Sequence, residues 1–412
     1  MNLMIIRKVS KLLAAIALIA SHNLNAETKG LLQLSLVNAD STKSYQNWGV
    51  GLYRYDDKYD GVVLSQALLQ SRFELGTDWS AHAVLNLHRD PEFTLGFTQA
   101  YLQYQPLINS DYKWHLKLGG FYPAMSLENP DIGWISPYNY TNSAINSWLG
   151  EEIRIFGAEA SISRPGRRFD SPHSFELFAA SFKGNDPAGS LLSWRGFAMH
   201  DRQTTFRENV AFARVNSLNY PPLNRQAAQV LPFKEIDDRF GYYVGAHWDY
   251  LKRSQFRLYY YDNNGDPSAF DWEIGQYAWD TKFTSLAWLY KFTPATRVIV
   301  QAMSGKTAMG RTRAVDNGFY SYFVMLSHYQ NQHRLSLRYD NFKVTDNDTL
   351  TIDPNASHGN GLTASWRYSL NKNVQFGAEV SLIKSSAANR NAIDYPTDIN
   401  QQQYMVTSQL RF

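Results

Sequence analysis

The chain has 412 residues, no cysteine, 44% hydrophobic and 19% charged residues, and is rich in Tyr (26), Phe (23) and Trp (11). The missing thiols exclude a disulfide framework and cysteine metal sites, and so many aromatics exclude a disordered chain. Charges scattered along the whole length exclude a bundle of spanning helices, each of which needs about 20 apolar residues in a row.

The first 26 residues read as a secretory signal peptide. Arg7, Lys8 and Lys11 form a basic start, Leu12–Ala20 an apolar run, and Ala26 a cleavage point. Those residues hold three basic and no acidic side chains, so the remainder carries 37 basic against 37 acidic residues. No clustered basic face exists, and nucleic acid is not an expected partner.

From there on the hydropathy alternates with a period of two, the signature of strands with one apolar and one polar face. Sixteen segments carry it: 30–37, 65–76, 79–88, 97–105, 113–122, 151–163, 173–184, 240–250, 255–262, 281–292, 296–304, 318–329, 332–343, 359–370, 374–384 and 402–412. In one, Leu362, Ala364, Trp366, Tyr368 and Leu370 alternate with Thr363, Ser365, Arg367 and Ser369. Most are 8–12 residues long, suited to a tilted strand crossing a bilayer. Short connections (as at Gly76–Asp78 and Asn371–Asn373) interleave with longer ones at 38–64, 89–96, 123–150, 185–239, 263–280, 305–317, 344–358 and 385–401. The expected fold is all-β, a transmembrane antiparallel up-and-down barrel of about 16 strands with short periplasmic turns and long extracellular loops.

The apolar faces end in Trp and Tyr, among them Trp114, Tyr122, Tyr242, Trp248, Tyr250, Trp288, Tyr290, Tyr320, Tyr322, Trp366 and Tyr368, residues that favour the lipid–water boundary. The opposite faces carry Arg72, Lys117, Arg154, Arg257, Lys291, Arg297, Arg334, Arg338 and Arg367 with Glu74, Glu152, Glu176, Asp249, Asp340 and Glu379. A water-filled lumen accommodates such charges; a packed soluble core does so only at a high desolvation cost. Gly157 marks a position where a bulge would flip the residues after it.

The signal, the sixteen strands and the terminal Phe412, preceded by Leu410, Val406 and Tyr404, resemble a Gram-negative outer-membrane porin, distantly like the phosphate-selective group. The segment from Ser126-Leu127-Glu128-Asn129-Pro130-Asp131 to Trp148-Leu149-Gly150-Glu151-Glu152 resembles the third loop and following strand of porin-like proteins. The resemblance implies an outer-membrane location, contact with membrane lipid and lipopolysaccharide, insertion by the barrel assembly machinery, and homotrimers. It also implies passive diffusion of small hydrophilic solutes or ions with weak or mixed charge selectivity, without a cofactor or metal. Loop 123–150 holds Glu128 and Asp131 and no Lys or Arg, so as an infolded loop it would face the basic wall. Pore lining and constriction are therefore expected of Glu128, Asp131, Arg72, Glu74, Glu152, Arg154, Arg257, Arg297, Arg334, Arg338 and Arg367. Loop 185–239, with seven basic and six acidic residues, is long enough to plug, lid or decorate the pore.

Other readings are weaker. Gly305-Lys306-Thr307 lacks the first glycine of a phosphate-binding loop. Asp262, Asn264, Asp266 and Glu273 have calcium-loop spacing, but Pro267 stands where the turn needs glycine. His82, His88, His115 and His247 have no local metal spacing. A non-conducting surface receptor or adhesin remains the main alternative. An outer-membrane hydrolase is a lesser one, since no Gly-x-Ser-x-Gly is present.

Overall fold

The computed structural model describes residues 26–59, 61–89, 93–107 and 110–412. The expected signal peptide lies outside the described residues up to Ala26, the first residue of strand β1. The strands are β1 (Ala26–Ala39), β2 (Gly61–Glu74), β3 (Trp79–Arg89), β4 (Phe93–Tyr104), β5 (Lys113–Phe121), β6 (Ile155–Arg164), β7 (His173–Lys183) and β8 (Gly241–Tyr250). They continue as β9 (Ser254–Asp262), β10 (Trp279–Lys291), β11 (Thr296–Met309), β12 (Val315–Gln330), β13 (His333–Asp346), β14 (Ser357–Ser369), β15 (Val374–Ala387) and β16 (Asp398–Arg411). Each pairs antiparallel with its chain neighbours, and β1 closes on β16 from Leu31↔Arg411 to Ala39↔Gln403. A closed antiparallel ring leaves no unpaired edge, the condition for placing strands in lipid.

The alternation read from the sequence sorts side chains as expected on the outside. On β12, Tyr320, Tyr322, Val324 and Leu326 point outward while Ser321, Phe323 and Met325 are buried inside. Trp114, Tyr242, Trp288 and Trp366 lie on the outer surface. Tyr122 does not; it is buried in the lumen, stacked on Trp134 with ring centroids 4.2 Å apart.

Three boundaries differ from expectation. The segment 151–163 begins as a strand only at Ile155, because Ala144–Glu152 is a helix capped by Ser143, whose Oγ accepts from Asn146 N. Gly157 sits in regular register with both neighbours, so no bulge occurs there. Connections at 89–96 and 305–317 shrink, since β3 and β4 pair up to Arg89↔Phe93 and β11 and β12 up to Met309↔Val315. Register shifts fall instead at Gln33/Leu34 on β1 and Val84/Leu85 on β3, each adding one residue to the neighbouring strand.

The wall is uneven in height. β4 pairs with β5 only over Ala100–Tyr104, and above that Phe206 N donates to Phe97 O (2.9 Å) from the loop after β7. Residues 40–59, 122–154 and 184–240 are the three loops that matter for the interior. Nearly all of 122–154 and 185–205, and most of 50–56, are buried inside the barrel.

Candidate functional site: the lumen and its infolded loops

The inner wall has two characters. From β7 to β13 it offers Phe182, Tyr243, Tyr259, Tyr261, Phe283, Met303, Phe319, Phe323 and Phe342 to the interior. The loops meet these with Ile145, Trp148, Leu149, Leu191, Leu192, Trp194, Phe197 and Met199, forming one apolar cluster. Trp148 sits edge-on to Phe283 and Phe319, at 5.3 and 5.4 Å between centroids. This corrects the expectation of a uniformly wet inner face. The signal was present: Phe319–Leu326 is almost continuously apolar, the pattern of a strand covered on both sides rather than one.

The other part of the wall holds the charges, and they grip loop 122–154. Arg338 Nη1 donates to Glu128 Oε1 (2.8 Å) and Thr141 O (2.7 Å), Nη2 to Asn142 O (2.8 Å), and Nε to Asp340 Oδ2 (2.7 Å). Asp340 Oδ1 accepts Ala144 N (3.0 Å). Glu379 accepts the N–H groups of Tyr140 (2.6 Å) and Thr141 (2.9 Å) and the Thr141 hydroxyl (2.7 Å). Arg257 donates to the carbonyls of Ala124 and Ser126, both at 3.0 Å, and Arg367 to that of Asn139 (2.6 Å). Glu128 also accepts from Ser143 N, Ser143 Oγ and Asn146 Nδ2. Irregular backbone inside a barrel must find partners for its polar groups, and these side chains supply them.

A second network ties the loops to one another. The Glu151 carboxylate lies 2.7 Å from Arg195, 3.1 Å from His200 and 3.3 Å from Arg202, and accepts the Tyr45 hydroxyl at 2.9 Å. Arg202 reaches Glu208 (2.6 Å), which meets His88 (3.0 Å), and Arg54 pairs with Asp201 (2.7 Å). Attraction by Arg195 and its neighbours overcomes burial and holds the Glu151 carboxyl well below the usual carboxylate range. Arg202 does the same for Glu208. Glu152 differs: burial pushes it up to about 7, although Leu191 N, Gly189 N and Trp148 Nε1 donate to it. Burial likewise raises Asp186 to about 7; its Oδ2 accepts Ile236 N and Asp237 N. Asp186, Glu235 and Asp237 converge, but their oxygens already take backbone N–H groups of residues 184, 236–238 and 266, so the trio is a loop tie.

The expected site residues are therefore distributed as follows. Glu128, Arg257, Arg338 and Arg367 come together on loop 122–154. Glu152 and Arg154 lie beyond the strand, in the helix and just after it, which corrects their reading as wall residues. Arg154 is buried, stacked 3.5 Å from the Tyr122 ring centre and donating to Thr204 O (2.8 Å). Asp131 pairs with Arg411 (2.8 Å) at the short-turn mouth, near Arg334 and Arg367. Arg72 and Glu74 pair with each other (3.0 Å) in a second bay across that mouth, lined also by Asp78, Lys113 and Arg168. Arg297 lies on the inward-facing row of β11 at the same end and donates to Pro294 O (3.3 Å). Of the decoys, Gly305–Thr307 are plain strand residues, and Asp262 and Asp266 cap their own turn by accepting Asn264 N and Ser268 N.

Sequence reasoning missed a seam of amides and hydroxyls between the loop and β1, β2 and β16, bordered by Asp201 and Arg367. Gln409 and Gln66 donate to Gln33 Oε1 at 2.7 and 3.3 Å, and Ser65, Ser35 and Thr407 form a hydroxyl chain beside them. A void of about 10 Å³ lies among Gln33, Gln66, Ser136, Asn139, Asn142, Asp201, Arg367 and Gln409. The amide of Asn139 and Oε1 of Gln66 face no protein partner. The inward Gln/Ser/Thr row was legible in the sequence as a polar stripe without charge, a weaker signal than the arginines.

No protein-family model and no curated protein matches the sequence. The fold does match solved structures over nearly the whole chain. The outer-membrane channel DcaP of Acinetobacter baumannii aligns with a TM-score of 0.56 at 10% identity, covering 94% of this chain and 97% of that one. The anion-selective porin from Comamonas acidovorans gives 0.52 at 13% (94% and 99%). The trimer form of OmpT, an outer-membrane protein of Vibrio cholerae, gives 0.53 at 8% (94% and 99%). The chain thus has the sixteen-stranded fold of outer-membrane porins.

Proposed function

We propose that this protein is an outer-membrane channel for passive diffusion of small hydrophilic solutes or ions, and that the path follows this amide- and hydroxyl-lined seam. The seam's unpaired amides carry the reading. A buried amide without a partner costs about 1–3 kcal/mol unless water supplies one. About 10–15 Å³ of such space holds one water, so the void beside these amides is sized for a single water. Passage of larger solutes requires loop 122–154 to shift on its clamps. Lipid, lipopolysaccharide and the barrel assembly machinery are partners of this reading, supported by the outer apolar belt and the terminal Phe412. A homotrimer is supported by the trimeric relative in fold.

The test is conductance of the purified protein in a planar bilayer, with Gln33→Trp to fill the seam. Ion passage reduced by at least about half in the variant is expected; an unchanged current moves the path elsewhere. The closely packed aromatic half of the lumen favours a second reading, a surface receptor or adhesin that displays its loops and conducts nothing. A silent wild-type protein would establish that reading, and turnover of lipid or peptide substrates would instead support a hydrolase.

A further inference from the structure

The connection from β13 to β14, at the long-loop end of the barrel, holds Asp346, Asp348 and Asp353 and no Lys or Arg. Among the described residues none of the three forms an ion pair, and Arg313 of the neighbouring turn is taken by Asp280 and Asp316. Asp353 is 1% exposed and accepts Trp194 Nε1 (3.2 Å), Asn355 Nδ2 (3.1 Å) and the Ser217 hydroxyl. Asp346 Oδ2 accepts Asn355 N (2.9 Å). Asp348 accepts Leu350 N (2.8 Å) and Asp316 N (3.1 Å), and its carboxyl lies beside that of Asp346. Buried charges are ordinarily paired or bound to metal; here neutral donors alone meet three acids.

Two amide oxygens add to the imbalance. Asn355 bridges Asp346 and Asp353 through its N and Nδ2, and Asn317 of β12 stands directly opposite Asp346 in register. Residues so paired share a face of the sheet and lie within side-chain reach. Both asparagines are buried, and Asn317 spends its Nδ2 on Ser193 Oγ (2.9 Å). Oδ1 of each is sealed from solvent and meets no donor. Buried acceptors of this kind need a partner. The acids Asp186, Glu235 and Asp237 differ, because Lys183 stands close by.

We infer that Asp346, Asp348, Asn317 and Asn355 hold one calcium ion, with Asp353 fixing Asn355 in place and water filling the remaining positions. The donor set is all oxygen, mixed carboxylate and amide, without His or Cys, which suits a hard cation rather than zinc. Its irregular arrangement suits calcium, which takes six to eight oxygens in flexible geometry, better than magnesium, which demands a near-ideal octahedron. The ion removes the repulsion between Asp346 and Asp348 and supplies the partner that both amide oxygens lack. Because Ser193, Trp194 and Ser217 are bonded to this group, it also fastens loop 185–239 to the rim. Binding does not depend on whether the seam conducts.

Calcium chloride titrated calorimetrically into the purified barrel, stripped with EDTA and dialysed at pH 7.5, is the test. Saturable one-to-one binding is expected, with a dissociation constant of about 10⁻³ M or tighter, the range of extracellular calcium modules. Asp348→Asn weakens it at least about tenfold, by removing one of two charged ligands. Glu235→Gln, in the other acidic group, leaves it unchanged. Heat-modifiable gel migration confirms that each variant is folded. A second measurement needs no substitution: calcium slows hydrogen exchange of residues 346–355 in the native protein by about tenfold, because a ligand held by the closed loop opposes its opening. Absence of saturable heat, wild-type affinity in folded Asp348→Asn, or loss of binding in Glu235→Gln overturns the site. If Asp348→Asn does not fold, exchange of residues 346–355 that ignores calcium overturns it.

Discussion

Arg338 of β13 and Glu128 of the loop after β5 meet at 2.8 Å with both side chains sealed from solvent. The pair joins the wall to residues far away in the chain, and the same guanidinium holds Asp340 and two loop carbonyls. Two carboxylates depend on one cation. Arg338→Met leaves both buried without it, a change that costs about 3–5 kcal/mol in comparable cases. Docking of residues 126–146 should weaken by that order. Hydrogen exchange of that segment is the measurement: protection falls by two or more orders of magnitude in the variant, and single-channel current rises. Unchanged protection would mean that the apolar cluster, not the ion pair, holds the loop.

Glu151 serves the loop after β7 in the same way. Among the described residues Arg195 forms its ion pair with Glu151 alone, whereas Arg202 retains Glu208. Glu151→Gln should release the region around Arg195 while the barrel stays closed. Limited trypsin digestion reads this directly, because Arg195 and Arg202 are buried in the native protein. Cleavage after Arg195 within minutes is expected in the variant, with the native protein resistant over the same time; equal resistance would rule out the hub.

Strand positions were legible because lipid on one side and a lumen on the other impose opposite chemistry on successive residues. All sixteen segments returned as strands, with ends off by a few residues where loops continue the pairing. What filled the lumen was not legible. Glu128 and Asp131 were expected on an infolded loop opposite basic residues, and both do meet arginines, yet as close pairs rather than across open water. Nothing periodic marks residues 40–59 or 185–205 as interior, since their burial comes from ion pairs and aromatics distant in the chain. The helix Ala144–Glu152 is too short to declare itself by propensity and stands through packing of Trp148.

Two adjacent glutamates give the plug opposite responses to pH. Glu152 is raised from 4.5 to about 7 by burial, so it contributes most to folding when protonated, below its ordinary pKa, and loses that contribution as pH rises through 7. Glu151 is depressed, so its contribution is present above 4.5 and is lost as pH falls below that. Loop docking should therefore be firmest in mildly acidic solution and loosen toward pH 8. Exchange protection of residues 144–154, corrected for the intrinsic rate at each pH, tests the alkaline limb. Glu152→Gln keeps an acceptor for Leu191 N and should flatten the dependence between pH 5 and 8. A variant that keeps the native slope would transfer it to Asp186, which shifts in the same direction.

Barrel closure rests on a contact between the two ends of the described chain. Gly30 N donates to Phe412 O (2.8 Å), and Phe412 N returns a bond to Gly30 O (3.2 Å). The aromatic ring lies across Gly30 so closely that a Cβ there would sit 2.0–2.5 Å from three ring carbons. Gly30→Val must expel the ring and disturb the last rung between β1 and β16, where the ladder has no further pairs to compensate. Gly318→Val on β12 is the control, since its Cβ would meet only Asn347 Nδ2 at an ordinary 3.4 Å. Refolding into detergent, followed by heat-modifiable migration on gels, should give a clearly lower folded yield for Gly30→Val and near-native yield for Gly318→Val. Equal yields would show that the terminal ring takes no part in holding the barrel shut.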